Sequence, residues 1–190
     1  MIRNTSHQWG SIAQALHWIG ALLIIVQLGH GWWMTHLVER EARLPNYAWH
    51  ADVGYIVLSL VVLRLLWRWV NVTPDEPAES GAFERFLARA GHWGLYALMF
   101  AATFSGWALA GTFRQPLNNM FGGLIQVPSI VSSQDRAVHG FFEEVHEWSV
   151  YLLLAVVIVH VLSALRHHLV KRNDVLDRML PFRRGAAAAE

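Results

Sequence analysis

His146 and His160 stand fourteen residues apart within Phe141–Lys171, FFEEVHEWSVYLLLAVVIVHVLSALRHHLVK, where Glu147 and Arg166 bracket eighteen residues without a formal charge. An apolar run of that length is close to the ~20 residues that cross a bilayer as a helix. Fourteen residues at ~100° each fall ~40° short of four turns, so both imidazoles share one face, ~21 Å apart along the axis. Ionisable side chains inside a membrane helix are expensive and usually functional. Two on one face, near opposite membrane surfaces, suggest two stacked metal centres whose remaining ligands come from elsewhere in the chain.

Composition narrows what those centres can be. The chain has 190 residues, enough for one domain, with 54% hydrophobic and 15% charged residues. Soluble domains carry roughly a quarter charged residues, so this is the composition of a membrane protein. There is no cysteine. That excludes disulfides, a covalent CxxCH haem site, thiolate iron–sulfur clusters and Cys-based zinc sites. Metal ligands must come from His, carboxylate or Met, and eleven histidines are present. A net charge of +1, with no basic tract interleaved with aromatics, gives no sign of a nucleic-acid partner. The first apolar run lacks a short h-region with an A-x-A-like cleavage site and is expected to be a retained span.

Four helices are expected, at about 11–34, 47–70, 85–112 and 145–170, in one domain covering 1–182, with 183–190 a frayed tail. Ser11 is a candidate N-cap for the first. Pro45-Asn46 is expected to close a polar connection, 73–80 to form a polar loop, and Ser132 or Ser133 to cap a short surface helix before the fourth span. Trp32, Trp33, Trp49, Trp67 and Trp69 stand where interfacial belts are expected. Of fifteen Lys and Arg residues, all but Arg40, Arg43, Arg114 and Arg136 fall on the side of the termini. The positive-inside rule therefore predicts cytoplasmic termini.

Counting depth along these helices sorts four histidines into two pairs. His17, ~9 Å inside the first helix, is level with His160, and His50 is level with His146 near the outer surface. Any one of the four can be an ordinary amphipathic residue; two depth-matched pairs are harder to obtain by chance. A pair of neutral imidazoles from facing helices suits haem b with both axial positions filled, which favours electron transfer over oxygen binding. Gly20 and Ala21, Gly54, and Ser163 and Ala164 are small neighbours that leave room for a flat macrocycle. Arg64, fourteen residues after His50, shares its face near the inner level and suits a propionate. His92 shares the inner level and is a rival ligand, read as a hydrogen-bonding or pocket residue. His167 follows His160 by seven residues and could line a quinone pocket or meet a propionate. His30 points away from the face of His17 and is read as a polar interhelical contact. His7 and His36 are placed in loops, His139 and His168 at the surface.

The segments ALHW at 15–18, WHADVGY at 49–55, VVLRLLWR at 61–68, GHWGLY at 91–96, EVHEW at 144–148 and HVLSALRHHLVKRNDVLDRMLP at 160–181 resemble the bacterial two-haem cytochrome b561 family in its small four-helix form. The likeness spans about 14–181. It implies an all-α, integral membrane four-helix bundle of the bacterial inner membrane, in contact with lipid and holding two non-covalent haem b groups. It assigns His17 and His160 to the inner iron, and His50 and His146 to the outer one. It implies that His92 is not a ligand, that His167 stands near a quinone end of the path, and that ubiquinone is the electron acceptor. Superoxide-oxidising members of the family take electrons outside and deliver them to ubiquinone.

An anionic donor such as superoxide would be steered by positive charge. The exterior stretch 112–147 offers Arg114 and Arg136 against Asp135, Glu143, Glu144 and Glu147, a balance of minus two, so any basic patch is local to the two arginines. Arg114 and Arg136 are accordingly the outer-surface candidates, and Arg64, His167 and Lys171 the candidates for propionate or quinone. The expected function is oxidation of superoxide, or of another periplasmic donor, with electrons passed to ubiquinone. The alternative is a cytochrome b subunit that links an unidentified dehydrogenase or hydrogenase to quinone.

Overall fold

Each of the four apolar runs becomes one long helix. The computed structural model describes residues 1–75, 81–115 and 117–181. In it α1 spans Ser11–His36, α2 Arg43–Trp69, α3 Ala82–Ala110 and α4 Arg136–Leu169. All four are long and apolar enough to cross a membrane. A two-residue ribbon joins α3 to α4, β1 (Asn119–Met120) pairing antiparallel with β2 (Ile125–Gln126), Asn119 opposite Gln126. Residues 76–80 of the polar loop, Pro116 and the expected tail at 183–190 lie outside the described residues.

Several boundaries depart from the expected ones, for local reasons. The fourth helix opens at Arg136 rather than near 145, because Asp135 caps it: Asp135 Oδ1 accepts from the Ala137 amide at 2.7 Å. The surface helix and the span are thus one element, and Ser133 accepts from the Asp135 amide instead of capping. The second helix opens at Arg43, with Pro45 inside its first turn, where a missing N–H breaks no helical bond. Ser11 is the first helical residue of α1 and not its cap. The Gly10 carbonyl accepts from the Gln14 amide, while Asn4 Oδ1 and the Met1 carbonyl take the Gly10 and Ser11 amides at 2.9 Å each. His36 belongs to the last turn of α1 rather than a loop.

The chain forms two compact units. Among the described residues the first comprises 1–19, 62–75, 81–95 and 155–181. In it the N-terminal segment, the end of α2 and the C-terminal segment are tied together. Asn4 Nδ2 donates to the Val72 carbonyl, Trp18 Nε1 to that of Met179, Gln14 Nε2 to that of Arg178, and Arg178 Nη1 to that of Asp75. The VLDRMLP ending therefore acts as a clasp on α1. A Cβ at Gly10 would strike the backbone of Ile2 and Arg3, 2.5 Å from the Arg3 carbonyl carbon and closer still to the Ile2 oxygen. Gly10→Ala is expected to destabilise by about 1–3 kcal/mol, read as a lower midpoint when thermal unfolding is followed by helical circular dichroism.

The second unit comprises 20–61 and 96–154. Its core is fine-grained: Ala102, Ser105 and Ala108 make a buried face of small residues on α3, Ala110 is buried at the end of that helix, and Tyr55, Val57 and Val61 of α2 and Leu153 of α4 are buried as well. Small residues let helices approach closely where lipid removes the hydrophobic drive between them. Large apolar side chains such as Leu22, Ile25, Leu152 and Leu154 point outward, as a lipid-facing surface requires. Asp52 Oδ2 accepts from the Phe121 amide and Tyr55 Oη donates to the Leu117 carbonyl, so α2 holds the segment that carries the ribbon.

Candidate functional site

In the first unit, α1 brings His17 and α4 brings His160 to face each other, ring centres 6.3 Å apart. His92 of α3 lies 5.5 Å from His160. Arg64 of α2 donates from Nη2 to His17 Nδ1 at 2.9 Å. A guanidinium has no lone pair to give, so in this arrangement Nδ1 is the acceptor and the ring proton is on Nε2. Gly20, one turn from His17, has open space where a Cβ would go.

The end of the same unit is a charge cluster. Glu84, near the start of α3, takes Arg166 at 3.1 Å, lies 3.6 Å from His167 Nε2 and is hydrogen-bonded by Lys171. His167 Nδ1 meets the Asn173 amide at 2.9 Å. His167 and Lys171 thus converge on one carboxylate from α3. Glu84 itself carried no sign in the sequence beyond its charge.

In the second unit, α2 brings His50 and α4 brings His146 together at 6.1 Å. His146 Nδ1 lies 2.8 Å from the Ala102 carbonyl. A carbonyl only accepts, so the proton is on Nδ1 and the Nε2 lone pair is left for a metal. This is the usual outer-sphere support of a ligating histidine. Each ring also rests against a glycine of a neighbouring helix. A Cβ on Gly106 of α3 would come within 3.0 Å of His146 Cε1, and one on Gly31 of α1 within 3.3 Å of His50 Cε1. Neither glycine, nor Ala102, is marked by the spacing of the histidines, because the contacts run between helices. His30 makes an interhelical contact, as read from the sequence: its ring stacks on that of His50 at 5.9 Å and lies tilted against Trp49 at 4.4 Å.

The two pairs fit the same group. Two imidazoles on opposite sides of one iron, each bonded at about 2 Å, hold their ring centres about 6 Å apart. Separations of 6.3 and 6.1 Å meet that requirement. Among the described residues no cluster of three or more His, Asp or Glu side chains could hold a bare ion. A cofactor that brings its own four equatorial nitrogens needs only the two that each pair offers.

At the outer end, Arg114 and Arg136 are both exposed. Gln134 Nε2 donates to the Phe113 carbonyl, drawing the chain beside one arginine to that beside the other. His139, two turns before His146 on α4, is bonded through Nδ1 to Thr112 Oγ1 at 2.7 Å.

A model of the family described as prokaryotic cytochrome b561 matches residues 8–182. The chain belongs to that family. Among its relatives is "Cytochrome b561 homolog 2" of Escherichia coli (strain K12), 29% identical over 180 residues and 93% of either chain. Another is "Probable superoxide oxidase CybB" of Yersinia pestis, 26% identical over 174 residues, 90% of this chain and 94% of the relative. This cytochrome b561 is therefore a multi-pass electron-transfer protein of the bacterial inner membrane, all-α with four spanning helices, and its cofactor is haem b.

Proposed function

We propose that this cytochrome b561 is a superoxide:ubiquinone oxidoreductase with two haem b sites and cytoplasmic termini. The observation that carries the two-site reading is the near-identical separation of the two histidine pairs, 6.3 and 6.1 Å. The name of the Yersinia relative supports superoxide as donor. In the net reaction two superoxide anions each give up one electron and leave as O2, and ubiquinone takes two electrons and two protons to become ubiquinol. Bound haem b supplies one-electron uptake and release, so that two single-electron donations can serve a two-electron acceptor.

The chain's own residues do the rest. His50 and His146 hold the outer group and His17 and His160 the inner one. The Ala102 carbonyl fixes the His146 tautomer and keeps its ring turned to the metal. Ligation by His17 through Nε2 would put the proton on Nδ1, which a guanidinium cannot accept, so Arg64 would turn from His17 and is the candidate to meet a haem propionate. Arg114 and Arg136 provide local positive potential where an anion approaches, an interaction that salt weakens. His167 and Lys171, held by Glu84, are the candidates for contact with quinone or a propionate.

Stopped-flow spectroscopy on the oxidised holoprotein tests this. A superoxide pulse is expected to produce reduced haem b bands within the mixing experiment, to fail when superoxide dismutase is present, and to be reversed by a quinone analogue. Haems that stay oxidised under superoxide would sink the donor assignment and turn the search to a partner dehydrogenase or hydrogenase, which co-purification would reveal.

A further inference from the structure

His146 has a partner for its ring proton, and His50 does not: His50 Nδ1 is buried with no hydrogen bond. Two other buried atoms in the same unit share that condition, Gln27 Oε1 and His30 Nδ1. They belong to one place. Gln27 and His30 stand one turn apart on the same face of α1. Gln27 Nε2 donates to the backbone carbonyl of His50 at 2.7 Å, and the ring of His30 stacks on that of His50 at 5.9 Å. Glycines keep the place open: a Cβ on Gly54 would lie 3.7 Å from Gln27 Nε2, and one on Gly31 3.9 Å from His50 Nδ1.

The polarities of the three atoms are complementary. A histidine that binds iron through Nε2 carries its proton on Nδ1 and needs an acceptor for it. An amide oxygen only accepts. The neutral ring of His30 accepts at Nδ1 when its proton is on Nε2. A single water accepting from His50 Nδ1 and donating to Gln27 Oε1 and His30 Nδ1 would satisfy all three. Three bonds are what a buried water typically makes to otherwise unsatisfied polar groups. Leaving such atoms unpaired costs more than a hydrogen bond contributes.

We infer that Gln27 is the positioning residue of His50, holding the α2 backbone with its amide nitrogen and, through a water shared with His30, taking the His50 ring proton with its oxygen. Gln27 does at the His50 ring what the Ala102 carbonyl does at His146. The inference rests on the reading of His50 as an iron ligand. Its consequence is electronic as well as geometric. Donation from Nδ1 makes the imidazole a stronger base, which favours ferric over ferrous iron and lowers the potential of that haem.

The test is a redox titration of the holoprotein with electron paramagnetic resonance of its oxidised form, the outer component being defined as the one absent from His50→Ala. Gln27→Leu, and Gln27→Met as a longer variant should Leu fail to assemble, are expected to raise the outer potential. They should also alter the outer low-spin signal and weaken retention of that haem roughly ten- to a hundred-fold. His30→Phe should move the outer potential the same way by less, and the inner component should stay put in all three. Unchanged outer potential and signal in both Gln27 variants would overturn the positioning role. A His30→Phe protein identical to wild type would overturn the shared water. If no haem component disappears in His50→Ala, the bis-histidine reading fails and this inference falls with it.

Discussion

His50→Ala protein, produced with haem available, is expected to hold one haem b against the two proposed for the wild type, and His146→Ala is expected to behave alike. The size of the effect follows from coordination. With one axial nitrogen gone, the haem keeps a single bond to the protein and loses the second contact that clamps it between α2 and α4. The first unit, built from other stretches of the same helices, contains neither residue and should keep its haem. His17→Ala and His160→Ala should give the reciprocal loss. Haem-to-protein ratio and the reduced-minus-oxidised spectrum read both. His92→Ala is the informative control, since His92 sits 5.5 Å from His160, closer than His17 does. If His92→Ala empties the inner site while His17→Ala leaves it filled, the inner pairing is wrong. If His50→Ala strips both haems equally, the independence of the two sites is wrong.

Much of this arrangement could be read from the chain because helices translate spacing into direction. His146 and His160 sit in one unbroken helix, so fourteen residues specify a shared face whatever else surrounds them. That His17 would lie level with His160, and His50 with His146, follows from entry direction and rise per residue, though the same count puts His92 at the inner level too. What could not be read lies in contacts between helices that involve no distinctive side chain. The Ala102 carbonyl is a backbone atom that every residue owns. Gly31 and Gly106 matter through the ring opposite each, and no pattern within α1 or α3 announces it. His30 could be read as an interhelical contact because it points away from the face of His17, but its neighbour, His50 on α2, could not be named from α1 alone. Helix ends were the least legible of all. An apolar run marks where a helix crosses lipid, but α4 continues past its run to the cap that Asp135 provides.

Gly106 offers the sharpest separation of site from fold. In an exposed helix, replacing Gly by Ala stabilises by roughly 1 kcal/mol, since glycine has more backbone freedom to lose. By propensity alone Gly106→Ala should strengthen α3. The added Cβ, however, would lie 3.0 Å from His146 Cε1 and 3.2 Å from its Nδ1, tighter than ordinary carbon contacts allow. The ring is the part that must give way. It is held at 2.8 Å to the Ala102 carbonyl, with Ser105 Oγ 3.4 Å away, so tilting it breaks the bond that orients the ligand. Loss of such a supporting bond commonly lowers affinity ten- to a hundred-fold. Gly106→Ala is therefore expected to retain the outer haem weakly, and Gly106→Val, with two further methyls, to lose it. The inner haem and the helical circular dichroism should be unchanged. Gly140→Ala on α4, with nothing within 4 Å of its Cβ and no part in either haem site, should keep both haems and serves as the matched control. Haem content measured against apo-protein acceptors separates the cases. An outer haem held as firmly in Gly106→Val as in wild type would mean that the His146 ring is not confined between α3 and the metal, and the outer site would need a different ligand.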